Sequence, residues 1–309
     1  MGVLGSVIVG IDEVGRGPLA GPVVACALRQ DPRLDGLEWA DSKALSSEQR
    51  QSFLSRLQGL GIPHELGQCD AAEVDALNIL QATFLAMRRA VERLERATGE
   101  RVEHALVDGP HDPGLSCAVT TVVKGDAQVP CIGAASIVAK EARDQQMITL
   151  ADQFPAYGLD RHKGYGTAEH LEALAQKGPC PEHRLSFAPV RRAVVAGRHQ
   201  RGRDAEEQAV RQLEAAGHEI LARNWTGRRG ELDVVADNGL ELVVVEVRSR
   251  SDQVDPLETL VSRSKWASIR RATDEFLYRC RLEERFVRFD VVGVHGDQLE
   301  WVEDAWRPA

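Results

Sequence analysis

Apolar and polar residues alternate along this chain with two different periods, and the switches between them mark the elements. Residues 6–12 and 22–28 (PVVACAL) are short apolar runs of strand type. Residues 46–60 predict a helix, with Ser46 as its cap and an acid in the first turn. From 71 to 97 the apolar residues Leu77, Leu80, Phe84, Met87, Val91 and Leu94 recur at steps of three and four. That spacing predicts one continuous helix whose stripe packs on the core. Residues 104–108 (HALVD) and 120–124 (TTVVK) read as strands, and 131–154 and 167–177 as helices. The order β-β-α-β-α-β-β-α implies a mixed sheet flanked by helices.

The periodicity lapses at residues 191–204, where five arginines and two glycines fall within RRAVVAGRHQRGRD. A second rhythm follows: a helix at 205–216, strands near 218–225, 230–237 and 240–250, a long helix at 258–280, and strands near 286–294 and 299–303. This order does not repeat the first, so the expected organisation is a domain at 1–192, an Arg-rich linker at 193–203, and a smaller α/β domain at 204–309.

Composition narrows the class. The 309 residues are 43% hydrophobic and 28% charged, as in ordinary globular proteins. A net charge of −9 argues against a protein that coats nucleic acid through bulk basicity, while leaving room for local basic patches. No window approaches the ~18 uncharged apolar residues of a membrane span. MGVLGSVIVG lacks the flanks of a signal peptide, so a cytoplasmic monomer without a membrane partner is expected. The six cysteines include no C-x-x-C pair, and Cys180 with His183 forms a lone C-x-x-H read as chance spacing. Only six basic residues are lysines, which singles out each as a place where a compact charge is wanted.

The chemistry concentrates at predicted strand ends. Asp12 and Glu13 close the first strand, Asp108 closes HALVD, and Asp126 follows TTVVKG. Carboxylates crowded together are costly without a cation or a shared proton. Hard oxygen donors of this kind suit Mg²⁺ or Mn²⁺, and paired divalent ions serve phosphoryl transfer. Gly15-Arg16-Gly17 invites a dinucleotide-loop reading. That loop must open a helix, and here Pro18 leads into a second strand. Lys43, Lys124, Lys140 and Lys163 fall near the acids, and Tyr165 stands between glycines where it could stack on a sugar or base.

GIDEVGRGPLAGPVVACAL, DSKALS, LVDG, VVKGD, IGAASIVAKEARD, HKGYGT and HRLSFAPV, in this order over residues 6–192, resemble the motif set of bacterial ribonuclease HII. The resemblance implies an RNase H-like fold and hydrolysis of RNA in RNA–DNA hybrids and of ribonucleotides embedded in duplex DNA. It implies that Asp12, Glu13, Asp108 and Asp126 hold Mn²⁺ or Mg²⁺. It further implies that Gly15, Arg16, Gly17 and Tyr165 read the ribonucleotide 2′-OH, and that Lys43 lies near a substrate phosphate. Leu185, between Arg184 and Ser186, is a small departure from the family's basic closing stretch.

In the second segment Asn238-Gly239 predicts a two-residue hairpin turn, pairing Asp237 with Leu240 and Glu246 with Glu231. Glu231, Asp233, Glu246 and Arg248 then share a polar face, and Leu232, Val234, Val243, Val245 and Val247 the apolar one. Asp233 followed by Glu246-Val247-Arg248 resembles the D…ExK element of restriction-endonuclease-like folds, with Arg where lysine is preferred. Residues 200–295, including Glu206, are similar to the YraN-like family of uncharacterised small proteins. The resemblance makes Glu206, Asp233, Glu246 and Arg248 a candidate second site, for cleavage or for binding. The competing reading of the whole chain is a nucleic-acid-binding protein with a degenerate nuclease fold.

Overall fold

The computed structural model describes residues 6–37, 45–249, 256–296 and 298–307. By density of internal contacts the chain divides into two units, Met1–Val194 and Val195–Ala309. Lys43 lies outside the described residues.

Unit 1 is built on β1 (Ile8–Val14), β2 (Val23–Arg29), β3 (His64–Cys69), β4 (His104–Asp108) and β5 (Ala118–Val122), in the spatial order β3-β2-β1-β4-β5. β1 to β3 form an antiparallel meander, while β4 and β5 run parallel to β1. Its helices are α1 (Ser47–Leu60), α2 (Ala71–Leu77), α3 (Ile79–Thr98), α4 (Pro130–Gln153), α5 (Leu159–His162) and α6 (Ala168–Lys177). Side-chain alternation along β1 and β2 sorts the core into two layers. Val9, Ile11, Val23, Ala25 and Ala27 pack with Ala86, Met87 and Val91 of α3. Cys26 and Leu28 pack on the other side with Ile132, Ala135 and Ile137 of α4 and with Phe53 and Leu57 of α1. Cys131 to Ala139 are all buried, so the first half of α4 is enclosed on every side.

The single helix expected over 71–97 is two. Asn78 takes φ 70°, ending α2, and its Oδ1 accepts from Leu80 N (3.0 Å) and Gln81 N (3.1 Å), capping α3. A side chain that satisfies free N–H groups restarts a helix as readily as it interrupts one. Leu77, before the break, is exposed, whereas Met87, Val91 and Leu94 are core. The strand expected at 120–124 is shifted to 118–122. Lys124 turns the chain in the left-handed region, and Asp126 sits in a single 3₁₀ turn, Gly125–Ala127, and not at a strand end.

Residues 193–203, expected as an aperiodic linker, belong to a helix, α7 (Ala188–Ala215). Arginine is a good helix former, and a helix without an apolar stripe escapes a search for periodicity.

Unit 2 holds β6 (Glu219–Thr226), β7 (Glu231–Asp237), β8 (Leu242–Ser249), α8 (Arg263–Cys280), β9 (Val287–His295) and β10 (Gln298–Val302). The sheet order is β10-β9-β8-β7-β6, antiparallel except for the β8–β9 pair. The β7–β8 hairpin pairs Asp237 with Leu242 and Val234 with Val245, two residues away from the expected register. The loop has four residues because Asn238 Oδ1 accepts from both Leu240 N and Glu241 N at 2.9 Å. A slip of two preserves the face of every side chain, so Asp233, Glu246 and Arg248 still share one face. That face is not solvated. Val235 and Val244 on it are buried against Trp266, Ile269 and Phe276 of α8, while Val234, Val243, Val245 and Val247 pack with Ala205, Ala209 and Leu213. Leu232 belongs to the α8 side, contrary to the simple alternation. α8 itself begins at Arg263 behind a separate 3₁₀ turn at Leu257–Leu260, five residues later than its pattern predicts.

Candidate active site

The parallel pair β1–β4 sets Ile11 opposite Val107, and one further step along this register brings Asp12 beside Asp108. Neighbours in a parallel pair point to the same face, here the α4 face, and Glu13 points to the α3 face. Glu13, Arg16 and Asp108 line a small cleft with Thr83, Phe84 and His111 at the sheet end.

Asp12 is only 5% exposed. Burial, then the charge of Glu13 and to a lesser extent that of Asp108, holds its carboxyl well above the usual range, against an opposing hydrogen bond from Ser136 of α4. Glu13 is raised by burial and by Asp108, and Arg16 opposes the shift. Protein donors hold the carboxyls: Glu13 N lies 2.7 Å from Asp12 Oδ1, Arg16 Nη1 3.1 Å from Glu13 Oε1, and Gly125 N 2.7 Å from Asp108 Oδ1. The 3₁₀ turn brings Asp126 alongside, with its backbone N 3.4 Å from Asp108 Oδ1. Among the described residues, no three such side chains already converge on one point as a metal-binding group. The donor set is nonetheless all oxygen, its like charges destabilise one another, and Arg16 is the cation set against them. Such a set is suited to a hard divalent ion.

Beyond β1 the chain enters Gly15-Arg16-Gly17. Gly15 has φ +91°, and a Cβ there would strike the Arg143 side chain at 2.3 Å, so only glycine fits. A Cβ on Gly17 would stand 3.4 Å from Tyr165 Cε1, which brings the Tyr165 ring against the loop. Tyr165 is 46% exposed, leaving ring surface for a ligand. Of the other lysines near the acids, Lys140 is paired with Asp144.

In unit 2, Glu246 is 2% exposed and its Oε1 lies 2.9 Å from Arg248 Nη2 and 3.1 Å from Lys265 Nζ. Burial first, then the neighbouring Asp233, raises its carboxyl to about 7 in spite of these two cations. Asp233 Oδ2 accepts from Val247 N at 2.8 Å. Glu206 is engaged elsewhere: its Oε2 accepts from Asn224 Nδ2 at 2.7 Å.

Residues 9–190 match the family model described as Ribonuclease HII. The chain belongs to the ribonuclease HII family. Ribonuclease HII of Bordetella pertussis is 51% identical over 190 residues, covering 61% of this chain and 92% of the relative. That of Nitrosococcus oceani is 48% identical over 194 residues, covering 63% and 94%. Among known structures, the ribonuclease H2 from Pyrococcus horikoshii OT3 superposes with a TM-score of 0.53 at 25% identity, over 63% of this chain and 99% of its own. Bst-RNase HIII in complex with Mn2+ shares the fold, with a TM-score of 0.52 at 22% identity over 62% and 71%. Unit 1 is thus an RNase H-like endoribonuclease of the ribonuclease HII type. Residues 205–294 match the Uncharacterised protein family UPF0102, the YraN-like family of the sequence reading.

Three functional candidates escaped the sequence reading. Ser136 sits in an apolar helix, with no local signal of a role at Asp12. Lys265 falls within the stretch similar to the YraN-like family, but it lies 19 residues beyond Glu246 and no spacing linked the two. Cys180 and His183 are in contact within one turn, Sγ to Nδ1 at 3.1 Å. The pair serves a hydrogen-bond network, described below.

Proposed function

We propose that this ribonuclease HII hydrolyses the RNA strand of RNA–DNA hybrids and cuts at ribonucleotides embedded in duplex DNA, with Mn²⁺ or Mg²⁺ as cofactor, as a cytoplasmic monomer. The observation that carries this reading is the gathering of the Asp12, Glu13 and Asp108 carboxyls at one sheet end, beside the Gly15–Gly17 loop and Tyr165. Asp12, Glu13, Asp108 and Asp126 would hold the metal, and bound divalent ions would neutralise the charge that grows on the attacking and leaving oxygens. The chain's own contribution is placement. Ser136 and Glu13 N orient Asp12, Gly125 N orients Asp108, and Arg16 sets a positive charge at the cleft. Backbone of Gly15–Gly17 and the Tyr165 ring would recognise the 2′-OH, the one group that separates RNA from DNA locally. Lys43 would contact substrate phosphate. The test is Asp12→Asn, assayed on a duplex carrying one ribonucleotide. Cleavage is lost while binding of the duplex persists, and a fully active variant would refute the assignment.

For the division of labour we propose a catalytic domain at 1–192 and a separate nucleic-acid-directed domain at 204–309, joined through 193–203. A buried Glu246 between Arg248 and Lys265, with Asp233 beside it, supports a phosphodiester-directed site in the second domain. Glu206 would belong to its rim. In the full chain carrying Asp12→Asn, remaining cleavage of branched or ribonucleotide-containing DNA that vanishes on adding Asp233→Ala makes this domain a nuclease. Binding without cleavage makes it a docking module.

A further inference from the structure

His183 and Arg184 are adjacent in one turn, and each is almost fully buried, at 2% and 0% exposure. They reach in different directions. The guanidinium of Arg184 gathers the backbone of the Gly15–Gly21 segment: Nη2 donates to Gly15 O and Gly21 O at 2.7 Å, Nη1 to Pro18 O at 2.9 Å and Arg16 O at 3.2 Å, and Nε to Gly21 O at 3.0 Å. All five N–H bonds of the fork are spent on four carbonyls of one loop. With those carbonyls turned inward, the loop is held in a single conformation.

His183 leads to the other loop. Cys180 N donates to His183 Nδ1 at 3.0 Å, so that nitrogen is the acceptor and the ring hydrogen is on Nε2. His183 Nε2 lies 2.9 Å from His170 Nε2, and His170 Nδ1 lies 2.9 Å from Tyr165 O, a carbonyl that can only accept. The direction of every bond is therefore set: Cys180 N–H to His183, His183 N–H to His170, His170 N–H to Tyr165 O. His162 stacks on His170 with ring centroids 4.5 Å apart, and its own Nδ1 accepts from Gly164 N at 3.2 Å. The turn also joins the loops directly, through Arg184 N to Leu19 O at 2.9 Å and Leu19 N to Gly164 O at 2.8 Å.

We infer that the His183–Arg184 turn is a positioning element that sets the Gly17 backbone against the Tyr165 ring, and through that spacing the preference for a ribonucleotide. The inference rests on the reading of Gly15–Gly17 and Tyr165 as the 2′-OH readers. Neither His183 nor Arg184 touches substrate in this scheme. Both act through the loops they hold, and a two-sided contact is sensitive to errors of about 1 Å.

The test uses the full chain carrying Asp12→Asn to block cleavage, and measures affinity for a duplex with one ribonucleotide against the same all-DNA duplex. His170→Asn keeps an N–H donor on Cγ, where Nδ1 stood, but has no acceptor where Nε2 stood. It severs the link to His183 and is expected to lose the preference; full retention would show that the His183 arm plays no part. His170→Gln carries its amide one bond further out and His170→Ala has none, so both are expected to lose about tenfold of the preference. All-DNA affinity should stay within about twofold throughout, which a general loss of fold would not allow. Arg184→Lys offers one ammonium to four carbonyls and is expected to lose the preference as well. Should it not fold, the His170 series alone decides. Folded His170→Ala and His170→Gln proteins with undiminished preference overturn the inference. Parent protein without any preference, or Tyr165→Ala that keeps it, instead overturns the reading of the two loops and removes the inference with it.

Discussion

Gly10→Ala is a one-methyl test of how the catalytic sheet is built. Gly10 lies in β1, two residues before Asp12, on the face that meets α4. An ideal Cβ there stands 2.4 Å from the carbonyl carbon of Cys131, 2.5 Å from Ile132 N and 2.6 Å from Cys131 O. Ordinary carbon contacts lie at about 3.5–4.0 Å, so strand and helix must part by about 1 Å. The obstacle is helix backbone, enclosed on all sides, and no flexible side chain can swing away. Propensity alone would favour alanine over glycine in a strand by roughly 0.5–1 kcal/mol. Overpacking usually costs about 1–3 kcal/mol, and a backbone obstacle puts this substitution at about 3 kcal/mol or above. At about 2–4 °C per kcal/mol for a domain of this size, unit 1 should melt about 6–12 °C lower. Activity should fall further than stability requires. Ser136 on α4 hydrogen-bonds Asp12, so the same 1 Å shift separates a carboxyl from its donor. Misplacement by this distance can cost about 10²-fold in rate. Thermal melts followed by circular dichroism, with steady-state cleavage below the melting range, read both effects. Gly59→Ala is the control: it lies in α1 with open space around its Cβ, and should gain up to about 1 kcal/mol. A Gly10→Ala protein that melts within about 2 °C of the parent at undiminished turnover would refute this account of the packing.

Acid should loosen unit 1 through His183. Burial depresses this imidazole from 6.5 to about 4, with His170 as the next cause. Between those values the unfolded chain binds a proton that the folded chain refuses, so stability falls as pH drops from 6.5 towards 4 and is flat above. The full effect is ~3 kcal/mol. Urea melts at pH 7.5 and 4.5 should show it in the parent and largely lose it in His183→Gln; equal acid sensitivity in both contradicts it. In unit 2, Asp290 is fully buried and accepts from Arg288 Nε and Nη2, Trp301 Nε1 and Asp304 N, each at 2.9 Å. Asp290→Ala strands these donors and should cost about 3–5 kcal/mol, measured as a drop in the unit 2 melting transition. A change below 1 kcal/mol would show that the network carries no net stability.

The motif residues of the candidate site were legible in the chain because they are local: Asp12-Glu13, Gly15-Arg16-Gly17, Asp108 after its strand and Tyr165 between glycines each carry a short-range signature. Period-two and period-3.6 patterns likewise marked most elements, since burial of one face leaves a trace at a fixed spacing. The face shared by Asp233, Glu246 and Arg248 survived a wrong hairpin register, because a slip of two leaves alternation unchanged. Where the reading failed, one side chain or one distant partner decided the matter. Asn78 broke a helix that periodicity joins, by capping two N–H groups. The Arg-rich stretch 193–203 of α7 gave no stripe to detect. The covered face of β8 depended on α8 arriving 14 residues after β8 ends. Lys265, Ser136 and the five donors of Arg184 gain their roles only through partners 19 to 169 residues away, and no local pattern encodes such a separation. Local preference therefore wrote the elements and their motifs into the chain. The assembly of buried charges around two loops and one sheet end was decided by tertiary packing, where desolvation obliges each polar group to find its partner wherever the fold places it.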